Sequence, residues 1–245
     1  MAKSLPTPVT IGGGFDKGGA TLFLADAAVL VADLLADGLR PPSSLALVTD
    51  PPYGIGFDRK QATKGRKNGY RDFGRPATDW DKERPKASLI RDMVRIGDHA
   101  IVWGGNYFAD LLPASQRWLV WDKGQRDFSL ADVELAWTSQ DKAARAFTYP
   151  RSLALQDGKE HPTQKPVALM DWCMGFLPRG AGVVDPFMGS GTTGVSAIKD
   201  GRGFVGCERD PHYFEIACRR IQAAWQEPRM EMAQAPTREQ LSLLD

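Results

Sequence analysis

Short apolar runs alternate along this chain with segments whose apolar residues recur at helical spacing. The runs predict strands over residues 20–24, 45–49, 100–103, 118–121, 133–137, 182–185 and 203–207. The helical segments predict helices at AVLVADLLADG, ended by Gly38 and the Pro41-Pro42 pair, at about 86–96, from Pro166 through Leu177, from the turn after Asp185 to Asp200, and from Pro211 to about Gln226. The lead up to about Gly19 reads as loose and glycine-rich, 58–79 and 138–160 as irregular, and 227–245 as a tail. Such alternation predicts an α/β fold with a doubly wound, mostly parallel sheet.

Composition narrows the class without changing that picture. Apolar residues at 42% and charged residues at 25% suit a soluble globular protein, and 245 residues suffice for one large α/β domain, read here as residues 1–226. The formal net charge is only +1, so a nucleic-acid partner has to be argued from local charge. Cys173, Cys207 and Cys218 are widely spaced with no Cys-x-x-Cys, which disfavours a disulfide framework and a zinc site. No secretory signal and no run of about 18 apolar residues is present, so a cytoplasmic protein without membrane association is expected.

Two stretches carry chemistry. In LALVTDPPYGIGF, at 45–57, Pro51 and Pro52 cannot donate to a ladder, so the strand stops at Thr49 or Asp50. Asp50 then lies at a carboxyl end, where open α/β sheets bind ligands. An acid acceptor, stiffened carbonyls and the Tyr53 ring could together hold a planar group bearing an amine. In VVDPFMGSGTTGVSAIKDGRGFVGCE, Gly189 and Gly191 let backbone amides approach a ligand, and Glu208 stands where a carboxylate grips ribose hydroxyls. Gly194 also completes a Gly-x-Gly-x-x-Gly spacing, which leaves a nicotinamide-dependent oxidoreductase open as an alternative.

DPPYG at 50–54, HPTQKP at 161–166 and DPFMGSGTT at 185–193, in that order, resemble the DNA amino-methyltransferases of the β class. WGGNYF at 103–108, WLVWDK at 118–123 and the ELAW segment extend the resemblance from about Ala20 to Gln226. It implies a Rossmann-like methyltransferase sheet with a circularly permuted motif order, and S-adenosylmethionine as cofactor. Asp50, Pro51, Pro52 and Tyr53 would be catalytic: the Asp50 carboxylate and Pro51 carbonyl accept the hydrogens of an exocyclic amine, and Tyr53 stacks on the flipped base. Around the cofactor the resemblance puts Asp50, Asp185, Phe187, Gly189, Ser190 and Gly191, with Glu208 on the ribose and Asp26 near the adenine. His161, Thr163 and Lys165 would lie near the methionine carboxylate, Lys165 as its charge partner. A core-capping role is the alternative for His161, and no metal is required. Asp before Pro-Pro-Tyr favours adenine-N6 as the target, with cytosine-N4 as the alternative. A DNA-binding regulator that kept the fold and lost catalysis is the rival from another class.

The partner implied is double-stranded DNA. Arg59, Lys60, Lys64, Arg66, Lys67, Arg71 and Arg75 stand against Asp72 alone, a local charge of +6, with Tyr70 and Phe73 interleaved. Phosphate contacts and an aromatic wedge are expected there. Only about 138–160 is available for target recognition, so recognition is short and relaxed or shared within a homodimer. Finally, Gln240, Leu241, Ser242, Leu243 and Leu244 resemble the short motif by which bacterial replication proteins dock on the sliding clamp, with Leu244 in place of the usual aromatic.

Overall fold

The computed structural model describes residues 4–36, 44–56, 81–126, 131–150, 152–153 and 164–227. Among them, nine strands form one sheet: β1 (Val9–Ile11), β2 (Ala20–Leu24), β3 (Leu45–Thr49), β4 (His99–Trp103), β5 (Trp118–Asp122), β6 (Val133–Thr138), β7 (Arg145–Thr148), β8 (Gly182–Asp185) and β9 (Phe204–Glu208). Their spatial order is β1-β2-β9-β8-β3-β4-β6-β5-β7. The central block from β2 to β4 is wholly parallel, and β1 and β6 run antiparallel to its outer strands.

Strand alternation separates two apolar layers. Ala46 and Val48 of β3 face one core with Ile101 and Trp103 of β4 and Val183 of β8. Leu47, Ala100 and Val102 face the other. The helices α1 (Ala27–Leu35) and α2 (Ala87–Met93) cover the second face, while α3 (Val167–Met174), α4 (Thr192–Lys199) and α5 (Pro211–Gln226) cover the first. Burial on both faces is what parallel strands require. The α/β, doubly wound, mostly parallel sheet is therefore as the alternation predicts.

Three boundaries and two irregular readings need correction. Residues 9–19 of the lead are not loose: β1 pairs with β2 in the register Val9 to Leu22, and Phe15 is buried against Gly182 and Gly203. Within 138–160, residues Arg145–Thr148 form β7, parallel to β5. Both are edge strands with largely exposed side chains, so neither shows an apolar period of its own. The expected helix over 86–96 is confined to Ala87–Met93, that through Leu177 ends at Met174, and the first ends at Leu35 with Ala36 as its cap. The cap of α1 is Asp26, whose side chain accepts from the Ala28 amide at 2.9 Å, and α5 starts at an Asp210 cap followed by Pro211.

Candidate active site

The chain moves from β8 to β9 in one direction across the sheet and from β3 to β4 in the other, so the strand order reverses between β8 and β3. Ligands bind at the carboxyl ends beside such a reversal. A cleft of about 760 Å³ opens there, and Asp26, Asp50, Lys165, Asp185, Gly189 and Glu208 are among its lining residues. The two carboxyl ends are tied together, because the Thr49 hydroxyl at the end of β3 donates to Asp185 Oδ1 at 2.7 Å.

Around β8 and β9 the turn is built by backbone donors and one arginine. Asp185 Oδ1 also accepts from the Phe187 amide at 3.0 Å, and burial pushes its carboxyl up to about 6 despite these donors. Glu208 Oε1 accepts from the amides of Arg209 and Asp210 at 2.8 Å, and Oε2 accepts from the Gly189 amide at 3.1 Å. Burial also raises the Glu208 carboxyl, against the pull of those amides. The two glycines differ in role. A Cβ on Gly189 would meet no atom within 4 Å, whereas one on Gly191 would lie 2.9 Å from Ala217 Cβ of α5. Gly189 leaves space in the cleft lining, and Gly191 lets the helices pack. Ser190 is pinned by Arg220 of α5, which donates to the Ser190 carbonyl at 2.6 Å and hydroxyl at 3.0 Å.

Beyond β3 lies a chain of charges. The Tyr53 hydroxyl donates to Asp50 Oδ1, and the Lys165 ammonium donates to Asp50 Oδ2. Lys165 Nζ also lies 3.3 Å from the Tyr53 hydroxyl and 3.1 Å from Glu134 Oε2, while Lys123 Nζ pairs with Glu134 Oε1 at 2.7 Å. Burial raises the Asp50 carboxyl above the usual carboxylate range, Lys165 opposing it and the Glu134 charge adding to it. Burial would raise Glu134 as well, but Lys165 and Lys123 outweigh it and hold that carboxyl at about 2. For Lys165, burial works against the ammonium, and the two carboxylates overcome it, so its pKa is raised. The two carboxylates together keep this buried lysine charged.

The backbone after Asp50 is held as firmly. The Gly54 amide donates to Asp81 Oδ1 at 2.8 Å and the Gly56 amide to the Asp81 carbonyl at 2.9 Å. Tyr53 stacks on Tyr107 with centroids 4.7 Å apart and meets Phe108 edge-on at 6.4 Å. Arg84 fixes the Tyr107 segment by donating to its carbonyl at 2.7 Å and to Asp110. The ring expected to stack on a base thus already carries a neighbour, and Tyr107 is 38% exposed on the outside.

The structure brings Asp26, Asp50, Pro52, Lys165, Asp185, Phe187, Gly189, Ser190 and Glu208 to one cleft. Lys165 sits on Asp50 and Glu134 there. His161, Thr163, the basic run from Arg59 to Arg75 and the Gln240–Leu244 segment lie outside the described residues. Sequence reasoning missed Thr49, Lys123, Glu134, Tyr107 and Arg220. Glu134 and Lys123 stand in the ELAW and WLVWDK segments, which are signals of a kind, but nothing in either predicts that the two meet.

Comparison with known proteins agrees with this architecture. Residues 120–219 match the DNA methylase family. The chain is 32% identical over 120 residues to the type II methyltransferase M2.DpnII of Streptococcus pneumoniae, covering 40% of this chain and 45% of that protein. It is 36% identical over 104 residues to the DNA adenine methyltransferase YhdJ of Escherichia coli (strain K12), covering 42% and 35%. The match therefore spans less than half the length of these curated relatives. In fold the chain resembles M1.HpyAVI, solved as a SAM complex, with TM-score 0.53 and 22% identity over 81% of this chain and 98% of the other. It also resembles the cytosine-N4-specific PvuII DNA methyltransferase, with TM-score 0.52 and 15% identity over 84% and 90%. Over residues 120–219 this chain is thus similar to DNA methylases, and its fold is like that of solved DNA methyltransferases.

Proposed function

We propose that this chain transfers a methyl group from S-adenosylmethionine to the exocyclic N6 amine of a flipped-out adenine in double-stranded DNA. One observation carries the reading. Asp50, with its rigid Pro51-Pro52 backbone, lines the same cleft as Asp185, Gly189 and Glu208. The donor set fits the cofactor: open space at Gly189 admits it, and Asp26, Asp185 and Glu208 offer acceptors for its amine and hydroxyl groups. When bound, it supplies an electrophilic sulfonium methyl group. An exocyclic amine is a poor nucleophile because its lone pair is delocalised into the ring. The Asp50 carboxylate and Pro51 carbonyl would accept hydrogen bonds from its two N–H groups, so that the nitrogen pyramidalises and the charge developing on it is stabilised by acceptors that do not reorganise. As the N–C bond replaces the sulfonium S–C bond, a neutral thioether leaves and the excess amine proton passes out through the Asp50 hydrogen bond to solvent. Tyr53 orients Asp50 through its hydroxyl. Base stacking then uses Tyr53 after Tyr107 gives way, or the exposed ring of Tyr107 itself.

DNA would be gripped by the basic run from Arg59 to Arg75, in a homodimer that shares target recognition, and in the cytoplasm. The Gln240–Leu244 segment would tether the enzyme to the sliding clamp. Truncation at residue 239 should abolish clamp binding in surface resonance while leaving catalysis on short duplexes intact, and light scattering reads the dimer.

The deciding experiment incubates the protein with labelled S-adenosylmethionine and unmethylated duplex DNA, followed by mass spectrometry of the nucleosides. N6-methyladenine is expected. N4-methylcytosine would replace the substrate assignment, and cofactor binding without transfer to any DNA would favour the inactive regulator. Calorimetric heat from a nicotinamide dinucleotide alone would overturn the reading.

A further inference from the structure

The buried ammonium of Lys165 is shared by two carboxylates, and only one of them belongs to the reacting set. Asp50 accepts a hydrogen bond from it on Oδ2, and Glu134 Oε2 stands 3.1 Å away as an ion pair without hydrogen-bond geometry. Glu134 is in turn anchored at 2.7 Å by Lys123, one residue past the neighbouring strand β5, whose Trp121 pairs with Glu134 in the β5–β6 ladder. The Lys165 side chain is only 7% exposed and lies 5.8 Å and 5.9 Å from the ring centroids of Tyr53 and Trp103, so water does little to dilute these charges.

We infer that Glu134 is a positioning residue that divides the Lys165 ammonium, so that Asp50 is not wholly claimed by it and keeps acceptor capacity for the substrate amine. A carboxylate offers about four lone-pair sites. Tyr53 and Lys165 each occupy one on Asp50, and an ammonium drawn fully onto Asp50 would cover a further one, leaving about one for the substrate amine and withdrawing charge from it. Lys123 sets the balance from the far side by holding the other oxygen of Glu134. Among the described residues, the charged and titratable groups acting on Asp50 are Lys165, Tyr53 and Glu134, with Asp185 beyond Thr49.

This inference rests on the proposed methyl transfer for its consequence, but it can be read without it. In the full-length, ligand-free protein carrying ¹³C-labelled aspartate, the Asp50 carboxyl resonance, assigned with Asp50→Asn, is followed against pH in wild type, Glu134→Gln and Lys123→Met. Glu134→Gln removes a negative neighbour and gives Lys165 wholly to Asp50, so the Asp50 midpoint falls. Lys123→Met frees Glu134 to draw Lys165 away, so the midpoint rises. Local loss of structure would lower both, because burial is what raises Asp50. In methyl-transfer assays Glu134→Gln should lower kcat on the order of 10- to 100-fold with cofactor Kd unchanged within about twofold. Opposite midpoint shifts with lowered kcat support the inference. Midpoints that stay put or both fall overturn it, even if wild type methylates DNA. Opposite shifts in a protein that methylates no DNA leave the positioning role standing and overturn the proposed function instead.

Discussion

Replacing Gly104 by alanine should cripple the site through a ring it does not bond to. Gly104 follows β4 with φ 67°, a left-handed conformation that costs an L-residue about 1–2 kcal/mol. Its added Cβ would lie 2.5 Å from Tyr53 Cζ and 2.6 Å from Cδ1, against the 3.4 Å at which ordinary contact begins, and closer still to Cε1. The ring must therefore retreat by more than about 1 Å, and it is stacked on Tyr107. Retreat stretches or breaks the Tyr53–Asp50 hydrogen bond. A misplacement of about 1 Å can cost on the order of 100-fold in rate. Urea unfolding should show a loss of about 2–4 kcal/mol, from backbone strain plus overpacking. Methyl incorporation should fall on the order of 100-fold, with cofactor affinity preserved. Gly180→Ala is the control, since φ there is 74° but a Cβ meets nothing within 4 Å, so it should lose stability and keep its rate. A Gly104→Ala enzyme as active as the Gly180→Ala control would refute the reasoning that Tyr53 placement governs Asp50.

Asp50→Ala should abolish methyl incorporation while cofactor affinity measured by calorimetry largely survives, since the lost acceptor serves the target amine; near-normal incorporation would remove Asp50 from its role. Asp185 holds its proton more tightly folded, at about 6, than an unfolded aspartate at about 3.9, so its ionisation penalises the fold above that window and the penalty fades as pH falls through it. It amounts to an order of 3 kcal/mol at neutral pH, and Asp185→Asn, which keeps an acceptor for Thr49, should flatten the rise in urea stability from about pH 7 to about pH 5. Because Asp50 and Glu208 are shifted the same way, some slope should remain; a slope equal to wild type would place the titration elsewhere. Neutralising Lys64, Arg66 and Lys67 together should lower the slope of log K against log salt by about 0.9 per lost phosphate contact, and an unchanged slope would show the run to be a bystander in DNA binding.

Much of this protein could be read from local pattern. The parallel strands β3, β4, β8 and β9 are buried on both faces and so appear as continuous apolar runs, and Pro51-Pro52 marks where β3 must stop and where an acid meets a ligand edge. The glycine turn and Glu208 are likewise legible, because a strand, a glycine turn and a helix are neighbours in sequence before they are neighbours in space. The edge strands β1 and β7 were not, since their existence depends on the strand they pair with rather than on side chains of their own. The charge chain was hidden for a similar reason. Lys165 and Asp50 are 115 residues apart, and Glu134 is the second residue of its strand. It reaches the carboxyl edge only because β6 runs antiparallel to β4, which brings the beginning of one strand to the end of the other. Strand direction and order, which arise from packing the whole sheet, decide which charges meet, and a local pattern of residues carries no record of either.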